Sequence, residues 1–194
     1  AVKFQTHIAE AESSIFEPFR VNFSYEDKTR FDYWNRMSFT KNQWAGIYEH
    51  CEKRGVEFIS SPFSNAAVDL LEYLPIQTYK IGSGEVTNKL LLEKIARTGK
   101  KILLSSGMNS YEDIYDALKV INRYHEDVVI FQCTSSYPVP VEMLGTNVID
   151  ELKDRFMLPV GFSDHSGEIY AGLYAASKGI DYYEGHIVFN KNMF

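Results

Sequence analysis

The amino-acid sequence predicts an α/β protein, and among α/β folds it favours the (β/α)8 TIM barrel. Two observations predict this fold. Short runs rich in β-branched and aromatic residues alternate with segments of helical period, and each run ends in small or polar residues. Parallel neighbours in a sheet need a crossover connection, and such folds bind ligands at the strand ends. The sequence therefore indicates a parallel sheet with a polar mouth.

Seven runs are predicted to be strands. They are Ala1–Gln5, Val56–Ser60, Thr78–Ile81, Lys101–Ser105, Val128–Gln132, Leu158–Phe162 and Ile180–Glu184. A closed barrel has eight strands, so we expect a first strand before Ala1 and a last helix after Phe194, with residues 1–194 forming one barrel domain that is incomplete at both ends. The alternative is an open doubly wound sheet, but no Gly-x-Gly-x-x-Gly follows the early strands.

The segments between the runs carry helix signals, namely apolar residues at i, i+3, i+4 and i+7 with a capping pair or a terminating glycine. They are Trp44–Cys51 ended by Gly55, Leu91–Ile95 ended by Gly99, and the helix that begins at the capping pair of Ser110 and Asp113. Residues 10–40 break this pattern, because they carry aromatic and charged residues without a clear period. In a barrel this segment would overhang the active face, so we expect a lid or an oligomer contact there.

Composition excludes several classes of function. The chain has 194 residues, 45% of them hydrophobic, which is enough for one sizeable core. A formal net charge of −6 without a cluster of Lys and Arg argues against a nucleic-acid partner. The two cysteines, Cys51 and Cys133, read as free buried thiols of a cytoplasmic protein. No apolar stretch approaches the roughly 18 residues of a membrane span.

Two histidines follow the ends of successive predicted strands, and both could reach one metal ion. They are His165 and His186, with carboxylates close by in sequence. Imidazole and oxygen ligands suit Mn, Fe, Co or Zn, and open positions would take water or substrate. The alternative is a purely structural pair. The remaining histidines, His7, His50 and His125, are interpreted as ordinary surface or helix residues.

Two lysines, Lys3 and Lys80, follow apolar residues within or at the end of predicted strands. A buried ammonium group is costly without an anion, so each needs a counter-charge. Three readings remain open: a structural salt bridge, a clamp for phosphate or carboxylate with serine hydroxyls as donors, and a Schiff-base lysine.

Six sequence blocks, in order, resemble the sialic acid synthase family, also called the N-acetylneuraminate synthases. The blocks are Ala1–Thr6, Ile59–Ser64, Tyr79–Asn88, Ile102–Met108, Gln132–Pro138 and Pro159–Ser166. The resemblance implies a (β/α)8 barrel that condenses phosphoenolpyruvate with an N-acetylated hexose, such as N-acetylmannosamine or a related amino sugar. The products would be a nine-carbon 2-keto acid and phosphate.

The resemblance also implies a divalent metal, most often Mn2+, with Mg2+ or Co2+ as alternatives. It implies a homodimer in the full-length protein, with a C-terminal antifreeze-like domain that we expect outside residues 1–194. Gly185 and Ile187–Phe189 depart from the usual closing strand of the family, which leaves the acceptor sugar open.

The site residues implied by the resemblance come from every block. Phosphoenolpyruvate would be held by Lys3, Ser61, Lys80, Ser83, Ser106, Ser135 and Ser163. The metal would be held by His165 and His186, with Glu85 facing the reacting centre and Tyr137 against the sugar. Glu85, Lys80, His165 and His186 would be the catalytic residues. Two rival readings are a Schiff-base aldolase that uses Lys80 and an inactive barrel that only binds sugar or phosphate.

Overall fold

A computed structural model describes residues 1–19 and 24–190 of the chain and shows an α/β fold. The strands in these ranges are β1 (Val2–Thr6), β2 (Phe58–Pro62), β3 (Thr78–Ile81), β4 (Lys101–Ser105), β5 (Val128–Cys133), β6 (Val160–Asp164) and β7 (Tyr182–Gly185). The α-helices are α1 (Ala9–Glu12), α2 (Arg30–Met37), α3 (Lys41–Lys53), α4 (Asn65–Leu71), α5 (Lys89–Ala96), α6 (Tyr111–Ile121), α7 (Val148–Phe156) and α8 (Ile169–Ser177). All seven predicted strands are confirmed.

The chain divides into two compact units. The first comprises Ala1–Lys80 and Asn88–Lys101, and the second comprises Ile81–Thr87 and Ile102–Phe194. Strands β1, β2 and β3 are parallel neighbours in the first unit. Strands β4, β5, β6 and β7 are parallel neighbours in the second. The predicted parallel pairing is therefore confirmed within each unit.

The strand register of the first unit decides which side chains share a face. Gln5 pairs with Ser61, and Ser60 pairs with Tyr79, so Lys80 follows beside Ser61. Side chains alternate along a strand, and paired residues of parallel strands point to the same side. One face of this sheet therefore carries Lys3, Gln5, Ser61 and Lys80.

The opposite face of the first unit packs against helices. Phe4 stacks on Phe58 with ring centroids 5.0 Å apart, and Trp44 of α3 meets Phe4 edge to face at 6.0 Å. Tyr79 is fully buried, and its hydroxyl donates to a Glu72 carboxylate oxygen at 2.5 Å. This apolar layer holds the strands in register, so the residues at their carboxyl ends have fixed positions.

The register of the second unit places a second set of strand-end residues on one face. Ser105 pairs with Phe131, Cys133 pairs with Ser163, and Ser163 pairs with Glu184. These five side chains therefore share one side of the sheet. The opposite side carries Gln132, Phe162, Asp164 and Tyr183.

The predicted helix boundaries are confirmed, but the interpretation of residues 10–40 needs correction. Ser110 and Asp113 form a capping box at the start of α6, and Gly55 and Gly99 adopt positive φ behind α3 and α5. Helix α2 lies within the segment that showed no clear period. It is N-capped by Thr29 and has only eight residues, so its apolar side chains repeat over about two turns and give a weak periodic signal. Residues 20–23 lie outside the described ranges.

Three strands begin two residues later than predicted, namely β2, β6 and β7. Before β2 the reason is visible, because the Val56 N–H still donates to the Cys51 carbonyl and completes the end of α3. In residues 1–19 and 24–190, no helix is long and apolar enough to cross a membrane.

Candidate functional site

Two serine hydroxyls and a buried glycine form a small cradle in the second unit. Gly107 is the second residue after β4, and a β-carbon there would stand 2.7 Å from the Ser83 hydroxyl oxygen and 2.7 Å from the Ser135 hydroxyl oxygen. The Cys133 carbonyl oxygen would lie 3.1 Å from the same point. A side chain at this position would fit only if both hydroxyls rotated away. The two hydroxyls thus face a space that glycine keeps open.

The loop that carries Ser83 is fixed from two sides. Ser83 begins a 3-10 turn that ends at Glu85, whose N–H donates to the Gly82 carbonyl at 2.9 Å. The Asn109 side-chain amide donates to the Ser83 carbonyl at 2.8 Å and also to the Gly107 carbonyl. Asn109 therefore ties the Ser83 turn to the Gly107 turn. Hydroxyl donors on a fixed backbone suit an anion such as phosphate or carboxylate.

Ser163 and Ser105 share a face of the sheet, whereas Ser106 has a different environment. Ser106 still continues the β4 ladder, since its N–H donates to the Phe131 carbonyl at 2.9 Å. Alternation then turns its side chain to the opposite side from Ser105. There its hydroxyl lies 3.4 Å from the Gln132 amide oxygen, and the Gln132 amide donates to the Leu144 carbonyl. Sequence analysis named Ser106, but the register puts Ser105 on the face of Ser163.

The two predicted metal ligands lie side by side. The rings of His165 and His186 have centroids 5.2 Å apart in an edge-to-face arrangement. His165 Nδ1 is 3.0 Å from the Thr134 carbonyl oxygen, which can only accept, so Nδ1 carries the proton. The Nε2 atom of His165 is then a lone-pair donor suited to a metal.

The donor set fits two ligands of an open metal site. Two imidazoles suit a first-row divalent cation, and the remaining positions would be taken by oxygen donors. In the parts of the chain that the structure describes, no group of three or more His, Cys, Asp or Glu side chains is arranged to hold a metal ion. The metal site therefore remains a prediction from the sequence. The positions of the two histidines are compatible with it.

Tyr137 lies against both histidines. Its ring centroid is 4.2 Å from that of His165 and 6.0 Å from that of His186. Withdrawal from water raises the pKa of the Tyr137 hydroxyl above its ordinary value, and the charges of Cys133 and Glu184 raise it further. Tyr137 as a whole is nonetheless 68% exposed.

The first unit holds the remaining predicted ligands on one sheet face. Ser61 and Lys80 are each 2% exposed, and Lys3 is half-buried. A buried ammonium group is retained only where anions or hydrogen-bond acceptors meet it. The burial of Lys80 is what the sequence analysis anticipated.

His7 was predicted to be an ordinary surface or helix residue, and this prediction is wrong because the side chain is largely buried. Its ring is sandwiched between Trp34 and Phe63, with centroid distances of 3.6 and 4.1 Å. His7 Nδ1 is 2.6 Å from a Glu12 carboxylate oxygen, and both side chains are largely buried. The two aromatic partners, Trp34 and Phe63, are distant from His7 in sequence, so no local sequence pattern could predict this stack.

An apolar groove of about 610 Å3 lies elsewhere in the first unit and is lined mainly by residues of β1 and α3. Phe4, Ile47 and Cys51 are among its lining residues. No predicted site residue lines this groove. Its polar lining residues are Gln43, His50 and Arg54, and without a predicted catalytic residue among them the groove is a poor candidate for the active site.

Sequence analysis missed Gly107 and Cys133 as neighbours of the site. Cys133 is buried, and its sulfur lies 3.9 Å from the Ser83 hydroxyl. A signal for Cys133 was available, because strict alternation from Ser163 through the register would have placed it on the same face. The role of Gly107 depends on the approach of Ser83 and Ser135, which no sequence pattern gives.

Comparison with known proteins matches residues 1–194 to the NeuB family. The N,N'-diacetyllegionaminic acid synthase of Campylobacter jejuni is 33% identical over 179 residues, which are 91% of this chain and 54% of that protein. The pseudaminic acid synthase of Helicobacter pylori is 32% identical over 196 residues, 99% of this chain and 58% of that protein. The chain thus spans little more than half the length of these relatives.

A solved structure has the same fold. The N-acetylneuraminic acid synthetase of Leptospira borgpetersenii, crystallised with citrate, superposes with a TM-score of 0.85 at 26% identity. The match covers 98% of this chain and 63% of that one.

Proposed function

The chain belongs to the NeuB family, and on that premise we propose that its full-length protein condenses phosphoenolpyruvate with an N-acetylated hexose aldehyde. The resemblance to sialic acid synthases noted in the sequence is confirmed by the family match. The products would be phosphate and a nine-carbon 2-keto acid of the sialic acid type. Relatives named as synthases of legionaminic and pseudaminic acids support the reaction class and leave the acceptor sugar to experiment.

The observation that carries this proposal is the cradle of Ser83, Gly107 and Ser135. Its two hydroxyls and open backbone suit the phosphoryl or carboxylate group of phosphoenolpyruvate. Ser163 extends the polar lining of the same unit. Lys3, Ser61 and Lys80 are proposed as further ligands, and family membership supports this part of the assignment.

The reaction develops charge on two atoms, the aldehyde oxygen of the sugar and C2 of phosphoenolpyruvate, and both charges must be stabilised. C3 of phosphoenolpyruvate attacks the aldehyde carbon, which leaves developing negative charge on the sugar oxygen and a cationic C2. A divalent metal held by His165 and His186 would polarise that aldehyde oxygen. We propose Mn2+, with Mg2+ or Co2+ as alternatives. Binding both reactants in one orientation can supply roughly 7–11 kcal/mol of the barrier.

Glu85 is proposed as the base for the second half of the reaction. It is half-buried at the end of the fixed 3-10 turn that begins with Ser83. The carboxylate would accept a proton from the water that adds to C2. The tetrahedral intermediate then expels phosphate. Tyr137, beside both histidines, would contact the sugar. The full-length protein is proposed to be a cytoplasmic homodimer.

A Schiff-base aldolase is the second candidate, because Lys80 is only 2% exposed and burial favours a neutral, nucleophilic amine. Borohydride in the presence of pyruvate separates the two. The aldolase predicts a reduced adduct on Lys80 and activity that survives EDTA. The proposed synthase predicts no adduct and activity that EDTA abolishes. A folded protein that binds the sugar or phosphate but never turns over would favour an inactive barrel.

A further inference from the structure

The loop that follows β5 contacts His165 at three points. We call residues 134–139 the His165 clamp. The Thr134 carbonyl accepts from His165 Nδ1 at 3.0 Å, and the Val139 N–H donates to the His165 carbonyl at 3.1 Å. Tyr137 covers the face of the imidazole at 4.2 Å with 30° between the ring planes. Ring, tautomer and backbone of His165 are therefore all set by one short segment.

The clamp is itself held in place. The Thr134 hydroxyl donates to the Met143 carbonyl at 2.8 Å, and the Ser136 N–H donates to the Thr134 carbonyl at 2.9 Å. The Ser136 hydroxyl donates to the Pro138 carbonyl at 3.1 Å. The amino-terminal end of the segment is thus anchored to Met143, and the two Ser136 bonds stabilise the turn within the segment.

We propose that Tyr137 is a positioning residue for His165, holding the imidazole so that Nε2 faces the metal site. This inference rests on the proposed function, because it takes His165 as a metal ligand. A bare Nδ1 bond to Thr134 leaves the ring free to swing about that contact. The Tyr137 ring, 4.2 Å away and tilted by 30°, restricts that rotation, and the edge-to-face contact with His186 at 5.2 Å restricts it further.

The competing role for Tyr137 is contact with the sugar alone. The two roles differ in what the protein does before any sugar is present. A positioning residue raises the affinity for the metal in the sugar-free protein, because the unliganded imidazole is already oriented. A residue that only contacts the sugar leaves metal affinity unchanged.

The test measures Mn2+ binding to the sugar-free full-length protein by electron paramagnetic resonance of the free ion. The variants are Tyr137→Ala, which removes the ring, and Tyr137→Phe, which keeps it. Tyr170→Ala is the matched control, since Tyr170 on α8 is 72% exposed. Far-UV circular dichroism and a thermal transition establish that each variant is folded.

We expect Tyr137→Ala to weaken Mn2+ binding at least tenfold, in the range typical of groups that orient a ligand. Tyr137→Phe and Tyr170→Ala should stay within twofold of wild type. Unchanged Mn2+ affinity in folded Tyr137→Ala, with only a raised KM for the sugar, would overturn the proposal. Equal weakening in Tyr137→Phe would also overturn it, since the ring would then not be the operative group.

A second readout separates this proposal from the metal assignment. In protein labelled with 15N at histidine and free of metal, His165 should show the Nδ1–H tautomer in wild type and in Tyr137→Phe. Tyr137→Ala should keep the tautomer that Thr134 sets but show broadened ring resonances, because the imidazole then swings about that contact. Ring resonances of His165 as sharp in Tyr137→Ala as in wild type would contradict the positioning role. Wild-type protein that keeps this tautomer but binds no Mn2+ would instead remove the proposed metal site, and the proposal with it.

Discussion

Gly107 approaches Ser83 so closely that a β-carbon on Gly107 would stand 2.7 Å from the Ser83 hydroxyl oxygen. Real β-carbons do not come that close to another atom, so a side chain at Gly107 would force the hydroxyl to rotate away. The Ser135 hydroxyl oxygen lies at the same distance from that point. An anion bound by both hydroxyls would occupy the space that Gly107 leaves open.

Replacing Gly107 with Ala should therefore impair phosphoenolpyruvate binding. The methyl group would displace both hydroxyls, and we expect the KM for phosphoenolpyruvate to rise at least tenfold, equivalent to about 1.4 kcal/mol of binding free energy. Steady-state kinetics of the full-length protein provide the measurement. Gly46→Ala in α3 is the control, because a β-carbon there meets nothing within 4 Å. A folded Gly107→Ala protein with wild-type KM would show that the cradle does not hold the substrate.

Ser105 and Ser106 should have separable roles. Ser105 shares a sheet face with Ser163, so Ser105→Ala should raise the KM for phosphoenolpyruvate several-fold. Ser106 lies near Gln132, so Ser106→Ala should lower the free energy of unfolding by about 1 kcal/mol with little change in KM. Steady-state kinetics and urea denaturation of the two variants test these two roles. The reverse pattern would place Ser106 in the substrate site, as sequence analysis first assigned it.

The His7 stack should contribute to stability. His7→Ala removes two ring contacts and the bond to Glu12, so the free energy of unfolding should fall by about 2 kcal/mol. Urea denaturation followed by circular dichroism measures this loss. His50→Ala, at an exposed position of α3, should change stability by less than about 0.5 kcal/mol. Equal stability of the His7→Ala protein and wild type would mean that the stack forms no persistent contact.

Tyr79 should make the protein sensitive to alkali. Burial, followed by the hydrogen bond to Glu72, raises the pKa of the Tyr79 hydroxyl well above its ordinary value near 10. Its contribution to stability is fully present below pH 10 and is lost as pH rises above 10, because only the unfolded chain releases the proton there. Each such group lowers the free energy of unfolding by about 1.4 kcal/mol per pH unit.

Between pH 9 and 11.5, the free energy of unfolding of Tyr79→Phe should decline less steeply with pH than that of wild type. The difference in slope should correspond to one proton. Tyr25→Phe is the control, since Tyr25 is fully exposed and should leave the slope unchanged. Parallel declines for Tyr79→Phe and wild type would indicate that Tyr79 ionises equally in both states.

The fold could be predicted from the sequence because its signals are local. The strands β3 and β4 were predicted to the residue, since polar or glycine residues mark both of their ends. The capping box of α6 is likewise a local pattern. Helix α2 was missed because it has only eight residues, and a helical period is recognised reliably only over a longer window.

The candidate site could be predicted only in part, for a related reason. Residue type and strand-end position pointed to Ser83, Ser163 and the two histidines. The choice between Ser105 and Ser106 depends on which side of the sheet each one faces, and a shift of one residue reverses the answer. The clamp around His165 joins residues about 30 positions apart, as in the bond of His165 to Thr134, so no local signal could announce it.

The most direct test of the proposed condensation is phosphate release from phosphoenolpyruvate by the full-length protein. The assay contains Mn2+ and a panel of N-acetylated hexoses, with His50→Ala as the matched control for His186→Ala. The account predicts release that depends on a particular sugar, persists in His50→Ala and is abolished by His186→Ala. Absence of sugar-dependent release from folded, Mn2+-loaded wild-type protein across the panel would contradict it.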